Sequence, residues 1–169
     1  MAVKTNSQLA DFFKTGDEPT EAEFGHLIDT IIPTPVVQAD ATATLTEALN
    51  AMRITVLPNV ASTSNVYSLP TPSASGVWYR FIYGGAAIDA ENHIFDTATA
   101  DNSIFFKGVI AHLDTNADNV AVYSNGSSNS QLTVTDTQFL DITFIASSTT
   151  VFYVVGSVIS VTAPAFADQ

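Results

Sequence analysis

Residues 120–135 read VAVYSNGSSNSQLTVT, two short runs on either side of a turn. Within Val120–Tyr123 and Gln131–Thr135, apolar or β-branched residues recur with the alternation that is typical of a half-buried strand. The dipeptide Asn125-Gly126 between them favours a tight hairpin turn. The stretch therefore predicts two antiparallel strands joined at this turn, and it indicates a β-rich protein.

Similar segments recur about every ten residues along the chain, each bounded by turn residues such as Thr71-Pro72-Ser73. The other predicted strands are Arg53–Leu57, Asn65–Leu69, Gly76–Tyr83, Ile104–Leu113, Phe139–Ile145 and Thr150–Val161. Many short strands at this spacing indicate a β-sandwich or a jelly roll. We expect a mainly β domain over residues 36–169, in which Thr46–Ala51 could form one helical turn.

The first 35 residues follow a helical pattern instead. Thr5–Gln8 and Thr20–Glu23 each match the capping box that begins a helix. Gly16 is suited to end the first helix, and Pro33 stops the second. The apolar residues behind the caps share one face of each helix: Leu9, Phe12 and Phe13 in the first, and Phe24, Leu27 and Ile28 in the second. Residues 1–35 are therefore predicted to form an N-terminal helical hairpin, an arm in front of the β domain.

Both predicted helices are too short to be stable without tertiary contacts. Their apolar stripes must pack against each other and against a further surface. That surface is either the β domain of the same chain or a neighbouring subunit. We therefore regard Leu9, Phe12, Phe13, Phe24, Leu27 and Ile28 as the candidate partner-binding residues.

The composition excludes several classes of function. Five Lys and Arg residues against seventeen Asp and Glu give a net charge of −12, so the surface repels nucleic acids and anionic membranes. The chain has no cysteine, which excludes disulfides and thiol catalysis. The first residues lack the apolar core of a signal peptide, and no apolar run reaches the roughly 18 residues of a membrane span. We expect a protein that is made in a cytoplasm and does not enter a membrane.

Metal and cofactor sites are not predicted. His26, His93 and His112 lie far apart and do not show the spacing of metal ligands. The segment Asp114–Asn119 begins like a calcium loop but has Asn119 where such a loop needs glycine, and a surface turn is the better interpretation. Gly84-Gly85 lacks the pattern of a phosphate-binding loop.

Catalytic residues are not predicted either. The sequence contains no G-x-S-x-G nucleophile motif. A glycan-cleaving enzyme needs two carboxylates facing a cleft, and the nearest candidates, Asp89 with Glu91 and Asp136 with Asp141, resemble loop residues. We therefore expect a non-enzymatic protein.

The aromatic strand Gly76–Tyr83 allows two interpretations. Tyr79, Phe81 and Tyr83 alternate onto one face, where they could form a glycan-binding platform or part of the core. Because Trp78 and Arg80 suit the solvent side, we expect the three-residue stripe to face the core.

Two groups of motifs resemble bacteriophage virion proteins. Residues 9–20 read LADFFKTGDEPT, followed by Phe24, Leu27, Ile28 and Asp29, and they resemble a recurrent opening of phage and prophage virion proteins. Four further motifs and the closing residues 163–169 are similar to β-domain proteins of marine tailed phages. These motifs are Tyr67–Pro70, Gly76–Phe81, Phe105–Gly108 and Ser127–Val134. Residues 40–65 depart from the pattern.

The resemblance implies a capsid decoration (cement) protein. Such a protein would form a β-sandwich or jelly roll, bind the major capsid protein on the outer shell of the virion, and assemble as a homotrimer without catalytic residues. A second hypothesis is a head or tail fibre adhesin that recognises host glycans, for which exposed aromatic residues on one β face are expected.

Overall fold

The computed structural model describes residues 11, 18–31, 33–86, 88–89, 91–99, 102–114 and 119–169. This part of the chain is mainly β, with two helices, α1 (Glu21–Ile31) and α2 (Glu47–Asn50). Its strands are β1 (Val36–Val37), β2 (Ala43–Thr44), β3 (Ile54–Leu57), β4 (Asn65–Leu69), β5 (Trp78–Tyr83), β6 (His93–Thr97), β7 (Phe105–Asp114), β8 (Val120–Tyr123), β9 (Gln131–Val134), β10 (Thr137–Ala146), β11 (Val151–Ser160) and β12 (Ala165–Ala167).

The strands form two mixed sheets. The order in the seven-stranded sheet is β1-β3-β5-β10-β11-β7-β8, and the order in the five-stranded sheet is β12-β9-β6-β4-β2. Among the described strands, five pairs are parallel and five are antiparallel. A jelly roll is an antiparallel architecture, so that part of the prediction is not confirmed, whereas the mainly β, sandwich-like arrangement is.

Aromatic side chains from both sheets fill the space between them. The ring of Phe95 in β6 lies 4.8 Å from that of Phe81 in β5 and 5.4 Å from that of Phe144 in β10, measured between centroids. All three side chains are fully buried, as are those of Phe106 and Phe152. Burying one such side chain contributes about 1.5–3 kcal/mol, so this cluster holds the two sheets together.

The predicted facing of the aromatic strand is confirmed. Tyr79 and Phe81 are completely buried, while Trp78 and Arg80 lie on the opposite, partly exposed face of β5. Tyr83, the third residue of the stripe, is half-buried at the end of the strand. The stripe therefore belongs mainly to the core, and it is not a glycan platform.

The local predictions agree with most described elements. All eight predicted strands are present with small differences in their ends, and the predicted helical turn is α2. The capping box of α1 is formed, because the Glu23 carboxylate accepts the backbone N–H of Thr20 at 2.7 Å and the Glu23 N–H donates to the Thr20 hydroxyl at 3.3 Å. The first predicted helix, with Leu9, Phe12 and Phe13, lies outside the described residues, so the helical hairpin is not confirmed.

The hairpin prediction at Asn125-Gly126 is wrong. Strand β8 pairs with β7, whereas β9 pairs with β6 and β12, so the chain crosses from one sheet to the other between them. The Asn125 carboxamide oxygen accepts three backbone N–H groups, from Ser127, Ser128 and Asn129, at 3.0–3.2 Å. This side chain supplies the hydrogen bonds that a paired strand would otherwise provide, which lets residues 124–130 bridge the layers.

Among the described residues, no helix combines the length and apolarity needed to cross a membrane.

Candidate functional site

A buried Asp–His pair lies at one end of the core, and the sequence analysis missed it. The Nε2 atom of His93 lies 2.8 Å from Oδ2 of Asp89, and both side chains are completely buried. The Asp89 carboxylate also accepts the backbone N–H of Val60 at 2.9 and 3.0 Å. The Tyr67 hydroxyl lies 3.4 Å from the other ring nitrogen of His93.

This cluster has the components of a catalytic triad but not its accessibility. Burial lowers the pKa of His93 from its usual value, while the neighbouring Asp89 opposes the shift. Burial also raises the pKa of Tyr67 to about 12, so this hydroxyl stays protonated at neutral pH. Because no atom of Asp89 or His93 is open to solvent, we assign the pair a structural role: it fixes the loop around Val60 to the five-stranded sheet.

The remaining candidate chemical groups are also held in separate structural contacts. Asp141 was expected in a loop but lies in β10, where it forms a two-point ion pair with Arg80 at 2.8 and 2.6 Å. His112 is buried, and its Nε2 lies 3.2 Å from the backbone oxygen of Ser160. Within the described residues, no group of three or more His, Asp or Glu side chains could hold a metal ion.

The arm helix α1 exposes part of its apolar face. Phe24 is 48% exposed and Ile28 is 59% exposed, while Leu27 is half-buried. Phe24 and Ile28 line a shallow depression of about 540 Å³ together with Glu21, Ala22 and Gly25. The structure therefore brings three of the six candidate partner-binding residues onto one helix and leaves two of them accessible.

A larger apolar surface covers the outside of the seven-stranded sheet, and we call it the outer face. It consists of the side chains that alternate with the buried ones on the five adjacent strands β5, β10, β11, β7 and β8. They are Trp78, Arg80, Ile82, Phe139, Asp141, Thr143, Ile145, Tyr153, Val155, Ser157, Ile159, Lys107, Val109, Ala111, Leu113, Ala121 and Tyr123. At the usual spacing between neighbouring β-strands, the outer face has an area of roughly 600 Å².

The strand register arranges this surface in rows that run across the sheet. One row contains Arg80, Thr143, Val155, Val109 and Tyr123 in consecutive strands. The next contains Trp78, Ile145, Tyr153 and Lys107. Tyr123 is 76% exposed, and Val155 and Tyr153 are about half exposed. Neighbours within a row are directly opposite one another, so the apolar side chains Val155, Val109 and Tyr123 adjoin in the first row and Trp78, Ile145 and Tyr153 adjoin in the second.

The charges on the outer face differ from those of the whole chain. Its charged side chains are Arg80, Lys107 and Asp141, two bases and one acid, whereas the chain has more than three acids for every base. Hydrogen bonding to Asp141 raises the pKa of Arg80, so the guanidinium stays charged. A negatively charged partner can therefore approach this face without strong repulsion.

The outer face is suited to contact a protein. Soluble monomers rarely expose contiguous apolar patches above a few hundred Å², and larger ones usually mark interfaces. Its centre consists of branched aliphatic side chains such as Val109, Val155 and Ile145, which pack well against other side chains. One signal in the sequence could have indicated this surface: β7 and β11 carry apolar residues on both of their faces, as strands that are covered on both sides do.

No protein-family model, curated protein or solved structure matches this chain.

Proposed function

We propose that this chain is a structural protein of a bacteriophage particle that binds the capsid exterior as a decoration protein. The observation that carries the proposal is the exposed, largely apolar outer face, whose area is somewhat below the roughly 800 Å² that each partner buries in a standard protein interface. It suits burial within an assembly, between subunits or against the major capsid protein. The resemblance of residues 9–29 and of the β-domain motifs to phage virion proteins is the reason for proposing a phage particle.

The proposed assembly is a homotrimer on the capsid surface, formed after synthesis in the host cytoplasm. Icosahedral shells offer local threefold positions, and a closed symmetric oligomer hides apolar surface that one chain leaves exposed. The role is binding without catalysis, and neither nucleic acid nor lipid is a partner. The net charge of −12 favours this assignment because it opposes contact with phosphate groups.

The number of copies per particle tests the proposal. Particles of the virus that encodes this chain should be purified and the protein quantified by mass spectrometry against the major capsid protein. Decoration of the shell predicts hundreds of copies. A handful of copies would place the protein in the tail, and absence from the particle would reject the proposal altogether.

The adhesin hypothesis remains the second candidate because one observation favours it. Trp78, Tyr123 and Tyr153 lie on the same outer face, as expected for a surface that stacks on sugar rings. The aliphatic residues between them, including Val109 and Val155, offer no ring face for such stacking. Screening the purified protein on an array of host polysaccharides separates the two functions: specific binding that is lost in Tyr153→Ala would favour the adhesin.

A further inference from the structure

We propose that the outer face of the seven-stranded sheet receives the arm helix α1 of a second copy of this chain. The inference rests on the proposed homotrimer and specifies which two surfaces meet in it. Each surface is exposed on the described chain: Ile28 of α1 is 59% exposed and Val155 of the outer face is 52% exposed. Burying both against each other removes two apolar surfaces from water at once.

The two surfaces match in chemistry. Helix α1 presents an aromatic and an aliphatic side chain, Phe24 and Ile28, one turn apart on the same side. The outer face presents a flat set of valines and tyrosines in registered rows. A helix of eleven residues is about 16 Å long and 10 Å wide, so it fits within a face that is roughly 24 Å across.

The two surfaces also match in charge. Residues 18–31 contain Glu18, Glu21, Glu23 and Asp29 and no Lys or Arg. The outer face contains two of the chain's five basic residues, Arg80 and Lys107. Arg80 is ion-paired with Asp141 of the same face, so Lys107 supplies the excess positive charge that the acidic helix would approach.

The short connection between helix and sheet favours a second chain as the source of the helix. Residues 32–35 read IPTP, and the two prolines restrict the backbone to extended conformations. They lead directly from α1 into β1 at the edge of the same sheet. In the described structure the chain's own helix leaves Val155 and Tyr153 about half exposed, so a neighbour's helix could cover these two side chains.

A contact between two different surfaces would also allow the copies to form a closed, ring-shaped oligomer. When the helix of one copy binds the sheet of the next, the interface is heterologous, and a closed ring satisfies every copy. Three copies would repeat the same contact three times. The proposed homotrimer is the ring in which three such contacts close.

Disulfide trapping tests the inference, and the absence of native cysteine makes the readout unambiguous. The full-length variants Ile28→Cys and Val155→Cys should be co-expressed and oxidised, and the cross-linked pair identified by mass spectrometry. Both positions are exposed, so neither substitution disturbs the core. The matched control combines Ile28→Cys with Thr44→Cys, an exposed position on the five-stranded sheet.

We expect at least tenfold more cross-linking between positions 28 and 155 than between positions 28 and 44. Equal yields would overturn the inference, and so would a dominant link between two copies of position 155. A chain carrying both Ile28→Cys and Val155→Cys provides a second test. If it closes a disulfide within one chain at high dilution, the helix docks on its own sheet and the inference is wrong.

A charge exchange supplies an independent measurement. Lys107→Glu should weaken self-association several-fold, and adding Glu21→Lys in the same chain should restore it, because both side chains are exposed. No recovery in the double variant would count against the contact. If the protein is present on the particle but positions 28 and 155 do not cross-link, this inference is rejected and the proposed function stands. If the cross-linked oligomer forms but is absent from particles, the proposed function is rejected and the helix–sheet contact stands.

Discussion

At the residue scale, the polar groups inside this protein act as structural supports. Asp89 and His93 are fully buried yet hydrogen-bonded, and together they fix Val60 and the loop that follows β3. A buried pair of this kind is costly to break, since removal of one partner leaves the other unsatisfied. The same chemistry on an accessible surface would indicate an active site, so burial decides the interpretation.

The stability of the fold should depend on pH through His93. Burial lowers the pKa of His93 in the folded chain below its usual value near 6.5, which the unfolded chain retains. As the pH falls through about 6.5, the unfolded chain binds a proton that the folded chain does not, so the free energy of unfolding decreases. The contribution is complete above that pH and is lost as the pH falls towards the folded pKa.

Denaturant titrations at several pH values between about 5 and 8 measure this dependence, with a slope of at most about 1.4 kcal/mol per pH unit from one group. His93→Gln should flatten the profile. If that variant does not fold, NMR of the wild type serves instead: a His93 ring that becomes protonated near pH 6.5 or above contradicts the expected shift.

Gly156→Ala should destabilise the protein by about 1–3 kcal/mol. A methyl group at Gly156 would meet the backbone oxygen of Asp141 and lie 2.7 Å from Cα of Ile142, where β10 and β11 approach closely. Thermal or denaturant unfolding measures the loss. Ser157→Ala, the next residue on the outer face, is the control and should change stability by less than about 0.5 kcal/mol. Equal stability of the two variants would show that the sheet shifts freely.

At the element scale, the sequence predicted the helices and strands that depend on local chemistry. It did not predict which strands pair with one another. The strands and the capping box of α1 follow from alternation and from the Thr20–Glu23 spacing, and both are present. The pairing of β8 with β7 does not follow from residues 120–135, because the Asn125 side chain caps a crossing between sheets as readily as a hairpin. Strand β6 was missed because two of its three buried positions are the polar residues His93 and Thr97, which hides the apolar alternation of a strand.

The same reasoning applies to the candidate site. The apolar face of α1 was predicted from Phe24, Leu27 and Ile28, since it needs only the helical period. The outer face was not predicted, because it forms only when five strands from distant parts of the sequence lie side by side. A row such as Thr143, Val155 and Val109 exists only in the assembled sheet.

Helix α1 should be sensitive to its N-cap. Thr20→Ala removes the hydroxyl that accepts the Glu23 N–H and should cost about 1 kcal/mol of helix stability. Hydrogen exchange of the α1 amides measures the effect, and we expect faster exchange there with unchanged protection in β10 and β11. Thr20→Ser, which keeps the hydroxyl, is the control. Loss of protection throughout the sheets would show that the arm and the β domain unfold together.

At the scale of the whole molecule, this is an acidic two-sheet protein whose outer face exposes apolar side chains. The aromatic core between the sheets is complete within one chain, whereas the outer face leaves Tyr123, Tyr153 and Val155 in water. The proposed assembly would account for both the uncovered surface and the low density of charge, since 13% of the residues are charged. The central claim is therefore that the functional form buries the outer face.

The molecular mass of the purified protein, measured by light scattering at micromolar concentration, tests that claim most directly. We predict a particle of three times the 17.9 kDa chain mass, and a smaller mass for Val155→Glu, which places a charge at the centre of the outer face. Thr44→Glu, on the five-stranded sheet, should keep the wild-type mass. A stable wild-type monomer across this concentration range would contradict the account.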